Sequence, residues 1–469
     1  MRKIKKYILS PAVLAKIITN GAYQIPPHIE FIDSILYRIS FNRKQRLLVC
    51  LPPRHGKSEL ISKYFPFWYL TTFSGKRLLL TSYEANFAAF WGRKVRALIE
   101  NYGKYFNVSI SNEASAANFF ELSNNSTMMT AGAGGALTGK GANLLIIDDP
   151  IKNAEEAHSE TIRQNIWDWF VSTAYSRIEP NGSCIIIMTR WHKQDLVGRL
   201  LEDYSSDWQL VKIPAIATSD DPLGRVPGEA LWAERFPIDT LQQIHKQIGS
   251  YWFNALYQQE PSDNANSLFK REHFKYYKQI DNYAIVEGRY IDLTECLNFG
   301  TADLAISTSH NADWSVFFVF SVTPDKSILI RDIIRIRCQP TKHIEIIKNL
   351  TIKYNVRLWG IEAVQYQYAL VHQVSALGIP VKEIKPYSDK FTRAIPVSAM
   401  FEAGRIFFPD YADWLIDFEK ELTQFPDGKY DDQVDAFAYI AEIYKENNGG
   451  QIIGKKYHAI YLRTFSTKF

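Results

Sequence analysis

The chain of 469 residues holds only four cysteines, Cys50, Cys184, Cys296 and Cys338, with no paired spacing among them. Their scarcity excludes a disulfide-stapled scaffold and a paired-cysteine zinc site, and it points to a reducing compartment. Long apolar runs are missing too: none approaches the roughly 20 residues needed to cross a bilayer. Neither sign of charge dominates, with 54 Lys and Arg against 50 Asp and Glu for a net charge of +4. So mild an excess permits a polyanionic partner through local basic surfaces but does not require one. Internal repeats are absent. The opening "MRKIKKYILSPAVLAKI" has the basic start of a secretory signal, yet Lys16 interrupts its apolar patch and no small-residue cleavage site follows. It reads as an amphipathic helix of a cytosolic protein.

What is present is apolar residue in quantity, 46% of the chain, enough for two or three cored domains. The first half alternates short apolar runs with helical periodicity. "RLLVCL" (46–51), "KRLLLTS" (76–82), "LLIIDD" (144–149) and "SCIIIMTRW" (183–191) read as buried strands. Helices are expected over 83–100, within 155–178 and over 195–203. This is a three-layer α/β pattern with a mainly parallel sheet. The polar "QQEPSDNANS" (258–267) marks a linker, and a second α/β run begins near Leu297. The expected division is 1–257, a connecting segment 258–290, a second domain 291–446, and a basic tail 447–469 with Lys455, Lys456, Arg463 and Lys468.

Two stretches compete as a phosphate-binding loop. "LLVCLPPRHGKSEL" (47–60) has Gly56, Lys57 and Ser58 but puts Leu51 where the pattern's first glycine belongs. "GGALTGKG" (134–141) has Gly134, Gly139 and Lys140 but lacks the Ser or Thr. A phosphate loop needs a strand before it and a helix after it. The first candidate has both; the second runs straight into another strand. The loop Arg54-His55-Gly56-Lys57-Ser58 is therefore the candidate nucleotide cradle, with Lys57 reaching the β- and γ-phosphates and Ser58 holding Mg²⁺. The strand "LLIIDDP" then delivers Asp148 to the Mg²⁺ shell and Asp149 to the attacking water. Thr189 and Arg190, ending a later strand, are candidate γ-phosphate sensors. Arg54 in the loop, or Arg93 or Arg96 on the helix 83–100, is a candidate arginine finger.

The second half supplies separated acids: Asp303 in "FGTADLA", Glu362 ending "LWGIEAV", and Asp431 and Asp432 opening "YDDQVDAFAYIAE", with Asp435 one turn on. An early strand, a later strand and a terminal helix are how a ribonuclease H-like fold gathers carboxylates around two divalent ions. Such ions, about 3.5–4 Å apart, clamp the attacking and leaving oxygens of a phosphodiester. Carboxylate oxygens suit Mg²⁺ or Mn²⁺. Asp313 reads as a turn residue before a strand.

In order along the chain, "PPRHGKSEL", "TGKGANLLIIDDP", "MTRWHKQDLVGRL", "YWFNALYQQEP", "ADLAISTSHNADWS", "GIEAVQYQ" and "YDDQVDAFAY" resemble the successive signatures of the large subunit of tailed-bacteriophage terminase. The resemblance implies a P-loop ATPase that drives double-stranded DNA into a procapsid, followed by a ribonuclease H-like endonuclease that cuts concatemers. It implies Lys57 and Ser58 on phosphate and Mg²⁺, Asp148 and Asp149 at hydrolysis, and Asp303, Glu362 and Asp432 on nuclease metals with Asp431 close by. ATP and Mg²⁺ or Mn²⁺ are the implied cofactors. The implied partners are DNA, a small terminase subunit and the portal of the procapsid, with a homo-oligomeric ring during packaging in the host cytoplasm. Two departures stand out: the missing first loop glycine, and Asp149 where Glu is common. A helicase–nuclease, or a transposase or resolvase with a nucleotide switch, is the alternative, though no second motor lobe follows residue 260.

Overall fold

The computed structural model describes residues 9–116, 118–135, 137, 141–262, 268–305, 314–363, 367–386 and 389–448. The rival loop's Lys140, Asp313 and the tail from 449 onward lie outside the described residues. The chain forms two compact units, one from residues before 246 with 250–263, the other from 264 onward with 246–249.

The first unit is built on eight strands: β1 (Arg46–Cys50), β2 (Arg77–Ser82), β3 (Ile110–Ala116), β4 (Phe119–Leu122), β5 (Thr127–Gly132), β6 (Ala142–Asp148), β7 (Ile178–Met188) and β8 (Gln209–Lys212). Their order is β3-β4-β5-β2-β6-β7-β1-β8. From β5 to β8 every neighbour is parallel, while β3 and β4 extend the edge antiparallel. Covered on both faces, the central strands need apolar residues at every position. Leu47, Val49, Leu78, Leu80, Leu144, Ile146, Ile185 and Ile187 enter one core cluster. The alternate residues Leu48, Cys50, Leu79, Leu145, Ile147, Cys184, Ile186 and Met188 enter another. The helix Ala85–Tyr102 adds Ala88, Trp91, Val95 and Ile99, spaced three and four apart, to the first cluster.

Two helices differ from expectation. After the phosphate loop, a wider π-helical turn, Glu59–Tyr64, precedes the α-helix Phe65–Thr72. Pro66 lacks the N–H that a regular ladder would aim at the carbonyl of Ser62. The long helix expected within 155–178 is broken at Ser159, which is extended and caps Glu160–Trp169 by accepting a hydrogen bond from the Ile162 N–H at 3.3 Å.

The second unit holds β9 (Tyr276–Ile280), β10 (Tyr283–Val286), β11 (Arg289–Asp292), β12 (Leu297–Asp303), β13 (Ser315–Val322), β14 (Ile328–Ile336), β15 (Trp359–Glu362), β16 (Val381–Ile384) and β17 (Ile406–Pro409), in the order β11-β10-β9-β17-β14-β13-β12-β15-β16. The segment 258–290, expected to connect two domains, thus carries β9, β10 and the start of β11. Short and largely exposed, with only Tyr277, Ala284 and Val286 buried, these strands lack the continuous buried apolar signature of the others. Strands β12, β13 and β14 form an antiparallel meander, and β15 pairs parallel with β12. Gly300 of β12 faces Trp359 of β15, and a Cβ there would come within 2.4 Å of the indole. The helix Asp432–Asn448 is tied to β12 where the Thr301 hydroxyl donates to the Ala436 carbonyl at 2.8 Å. Among the described residues no helix is long and apolar enough to cross a membrane.

Past β7, Arg190 is buried against Asp195, with Nε 2.9 Å from Oδ2. Asp195 also caps the helix Leu196–Tyr204 by accepting the Gly198 N–H at 2.9 Å. Asp195→Ala would leave a guanidinium buried without its carboxylate. We expect it to destabilise the first unit by about 3–5 kcal/mol, read as a lowered denaturant midpoint, with Asp195→Asn intermediate.

Candidate functional site

The phosphate loop leaves β1 at Cys50 and meets β6 and β7 side by side, so residues distant in sequence end on one edge of the sheet. The Ser58 hydroxyl donates to Asp148 Oδ1 at 2.9 Å, and the Ser62 hydroxyl donates to Oδ2 at 2.7 Å. Lys57 Nζ lies 3.0 Å from Asp149 Oδ2 and donates to the Thr189 hydroxyl at 2.7 Å. The Thr189 backbone N–H donates to Asp149 Oδ1 at 2.9 Å. Asp148 is wholly buried; burial first, and Asp149 beside it second, push its carboxyl up from the ordinary carboxylate range.

Three residues here have left-handed backbones: Arg54 at φ 62°, Gly56 at φ 88° and Asp149 at φ 45°. Gly56 alone is free of the Cβ penalty, and a Cβ would also press on Ile29 at 3.1 Å. The loop is braced from outside. His28 Nε2 donates to the His55 carbonyl at 3.0 Å, and His55 Nδ1 donates to the Pro53 carbonyl at 2.8 Å. The His55 ring stacks on Phe236 with centroids 4.7 Å apart. Burial lowers both imidazoles to about 4, so they stay neutral. The His55 side chain, named with the nucleotide-binding residues on sequence grounds, is therefore a buried brace. Leu51, in the place of the missing glycine, is core.

A cavity of about 680 Å³ opens over the loop, lined by Arg54, Gly56, Lys57, Ser58, Asp149 and Thr189. Much of its remaining wall was not legible as a site in the sequence: Tyr83 from the bend after β2, Phe87 and Trp91 from the helix Ala85–Tyr102, with Lys152, Trp191 and Arg235. Trp91 is buried and its indole N–H has no hydrogen-bond partner. The helical spacing of Phe87 and Trp91 is visible in the sequence, but it reads equally well as core. Arg190 is engaged with Asp195, and Arg96 pairs with Glu100 at 2.9 Å; Arg54 reaches the cavity.

In the second unit, Asp303 and Glu362 sit at adjacent ends of the parallel pair β12 and β15, each one residue beyond the Ala302–Ile361 register partners. Asp432 and Asp435 arrive from the first turn of the terminal helix, both buried. Burial, then Asp435, then Glu362, raise the Asp303 carboxyl well above the ordinary range. Asp435, given no role from sequence, is thus the strongest charge on Asp303. Among the described residues no three of these acids converge tightly enough to enclose an ion as they stand. Glu362, Asp431, Asp432 and Asp435 lean instead on the protein. Tyr439 donates to Glu362. Lys390 Nζ bridges Asp431 and Asp435 at 2.8 Å each, Arg393 meets Asp435 at 2.6 Å, and Arg335 meets Asp432 at 3.3 Å. Lys390 and Arg393 share the helix Lys390–Glu402, three residues apart; nothing in the sequence distinguishes them from other surface cations.

Two family models match. Residues 48–276 match the N-terminal part of the terminase large subunit of T4likevirus type, and residues 300–442 match the terminase RNaseH-like domain. No curated protein matches in sequence. Among solved structures, the large terminase of a thermophilic bacteriophage is similar at 12% identity over 94% of this chain and 99% of that one, with a TM-score of 0.48. The HK97 bacteriophage large terminase is similar at 11% identity over 78% and 82%, with a TM-score of 0.35. The large terminase nuclease of a second thermophilic phage, G20c, with bound magnesium, is similar at 18% identity over 38% of this chain and 98% of that one, with a TM-score of 0.30. With both of its catalytic parts matched in order, the chain belongs to the tailed-phage terminase large-subunit family, DNA-packaging motors that join an ATPase to a metal-dependent nuclease.

Proposed function

We propose that ATP is hydrolysed at the cavity over the phosphate loop and that DNA is cut at the acid cluster of the second unit. The observation that carries the first assignment is the convergence of Lys57, Ser58, Asp148, Asp149 and Thr189 from three neighbouring strand ends. Lys57 is released from Asp149 to the β- and γ-phosphates. Ser58 and Asp148 are the oxygen pair that would hold Mg²⁺, whose charge suits a wholly buried carboxylate crowded by a second one. Asp149, fixed by the Thr189 N–H, orients the attacking water, and Thr189 senses the γ-phosphate. Arg54 is the cis candidate for the finger that meets transition-state charge.

For cutting, Asp303, Glu362 and Asp432 would hold Mg²⁺ or Mn²⁺, with Asp431 and Asp435 around them. The donor set fits hard divalent ions, which would supply Lewis-acid activation of the phosphodiester. Lys390, Arg393 and Arg335 hold these carboxylates in the absence of an ion and would give them up to one. Packaging partners in general follow from the family. Docking on a portal, a small terminase subunit, a ring of copies and a place in the host cytoplasm are the finer reading we attach to it.

Lys57→Ala should abolish ATP turnover while Mn²⁺-dependent plasmid cleavage persists, and Asp303→Asn should do the reverse. Loss of both activities in either variant would refute the division of labour.

The raised Asp303 carboxyl sets a pH dependence. Its folded pKa lies above the unfolded value of about 3.9, so its contribution is favourable in acid and is lost as pH rises above that value. A divalent ion offsets that loss. Mn²⁺ should therefore raise the Tm of the second unit more at pH 8 than at pH 5, and the increment should shrink in Asp303→Asn. Equal increments at both pH values in scanning calorimetry would contradict it.

A further inference from the structure

Beside the acid cluster stands a column of alternating cations and rings. Arg335 is the penultimate residue of β14, and Arg337 follows the strand's end. Residues two apart along a strand share a face. Trp314 immediately precedes β13, whose Ser315 pairs with Ile336, so the antiparallel register brings Trp314 beside both arginines. The Arg337 guanidinium lies 4.2 Å from the Trp314 ring centre, and that of Arg335 lies 4.9 Å from it. Arg335 is also 4.9 Å from the ring centre of Tyr430, which Lys429, its neighbour in the chain, approaches at 5.1 Å. The column therefore runs Arg337, Trp314, Arg335, Tyr430, Lys429.

At its middle the column touches the acids: Arg335 meets Asp432 at 3.3 Å and Glu421 at 3.5 Å. Arg335 is thereby a counter-ion within the protein. Arg337 and Lys429 form the two outer ends. Lys429 and Tyr430 are exposed, and Arg337 and Trp314 are half-exposed.

We propose that this column is a DNA-backbone cradle that holds the strand on either side of the phosphodiester presented to Asp303, Glu362 and Asp432. Arg337 and Lys429 meet flanking phosphates, and the rings keep the cations extended and desolvated on one side. Guanidinium and ammonium groups interleaved with aromatics suit a polyanion that is held without reading its bases. The chain's modest net charge makes such a local surface necessary. The proposal rests on reading these acids as the cutting site, but binding measured in EDTA requires no cutting, so the two ideas fail separately.

The test uses the full chain and a fluorescent random-sequence duplex in EDTA, with anisotropy recorded across a salt series. Arg337→Gln and Lys429→Gln should each weaken binding and lower the salt slope by about 1, and the double variant by about 2. In Mn²⁺-dependent cleavage the double variant's loss should fall on KM rather than kcat. An unchanged slope and an unchanged KM in a folded double variant would overturn the proposal and leave the column as a device for holding Asp432.

Discussion

A carboxylate taken out of water must be met by donors or positive charge, and both units of this chain face that constraint at the same kind of place, the carboxyl end of a buried strand. Asp148 terminates β6 in full burial, and the local structure answers it with two hydroxyls, from Ser58 and Ser62. That answer fixes where the phosphate loop lies, because Ser58 must stand over β6 while Lys57 spans to Asp149 and Thr189. The parallel register makes it achievable: Ser82, Asp148 and Ile187 lie abreast, so the ends of β2, β6 and β7 form one line. The core clusters on the two sheet faces are what hold that line straight.

The second unit meets the same constraint with more acids and more bases. Lys390, Arg393 and Arg335 come from two different elements, and Tyr439 adds a hydroxyl. The first site balances its acids chiefly with hydroxyls and one lysine, and a cavity stays open over it. The second is balanced largely by side chains already present.

Much of this was legible in the sequence. The uninterrupted apolar run that ends in "DD" marks a parallel strand, because burial on both faces leaves no room for polar alternation. Lys57, Ser58, Asp148, Asp149 and Thr189 do meet, and so do Asp303, Glu362 and Asp432 in one electrostatic neighbourhood. What stayed hidden were features that depend on tertiary packing. Strands β9 to β11 are short and largely exposed, so their pairing comes from the sheet they join. The break at Ser159 is a capping event inside good helix-forming sequence. Lys390, Arg393 and the wall of Tyr83, Phe87 and Trp91 carry no spacing that separates them from solvated charge or ordinary core. Asp435 looked like a helix residue one turn too late, and it is the acid that weighs most on Asp303.

The loop that lacks its first glycine shows what replaces an intrinsic bend. Its curvature is imposed by neighbours: His28 grips the His55 carbonyl, Ile29 crowds Gly56, and Phe236 backs the imidazole. A segment cut to begin at Arg46 would contain every letter of the phosphate signature and none of the helix Pro27–Phe41 that supplies two of those three supports. The signature is therefore not portable. Grafted behind another strand, "PPRHGKS" would bring its chemistry without its shape, because the template for that shape is written about two dozen residues upstream and far downstream of the letters themselves.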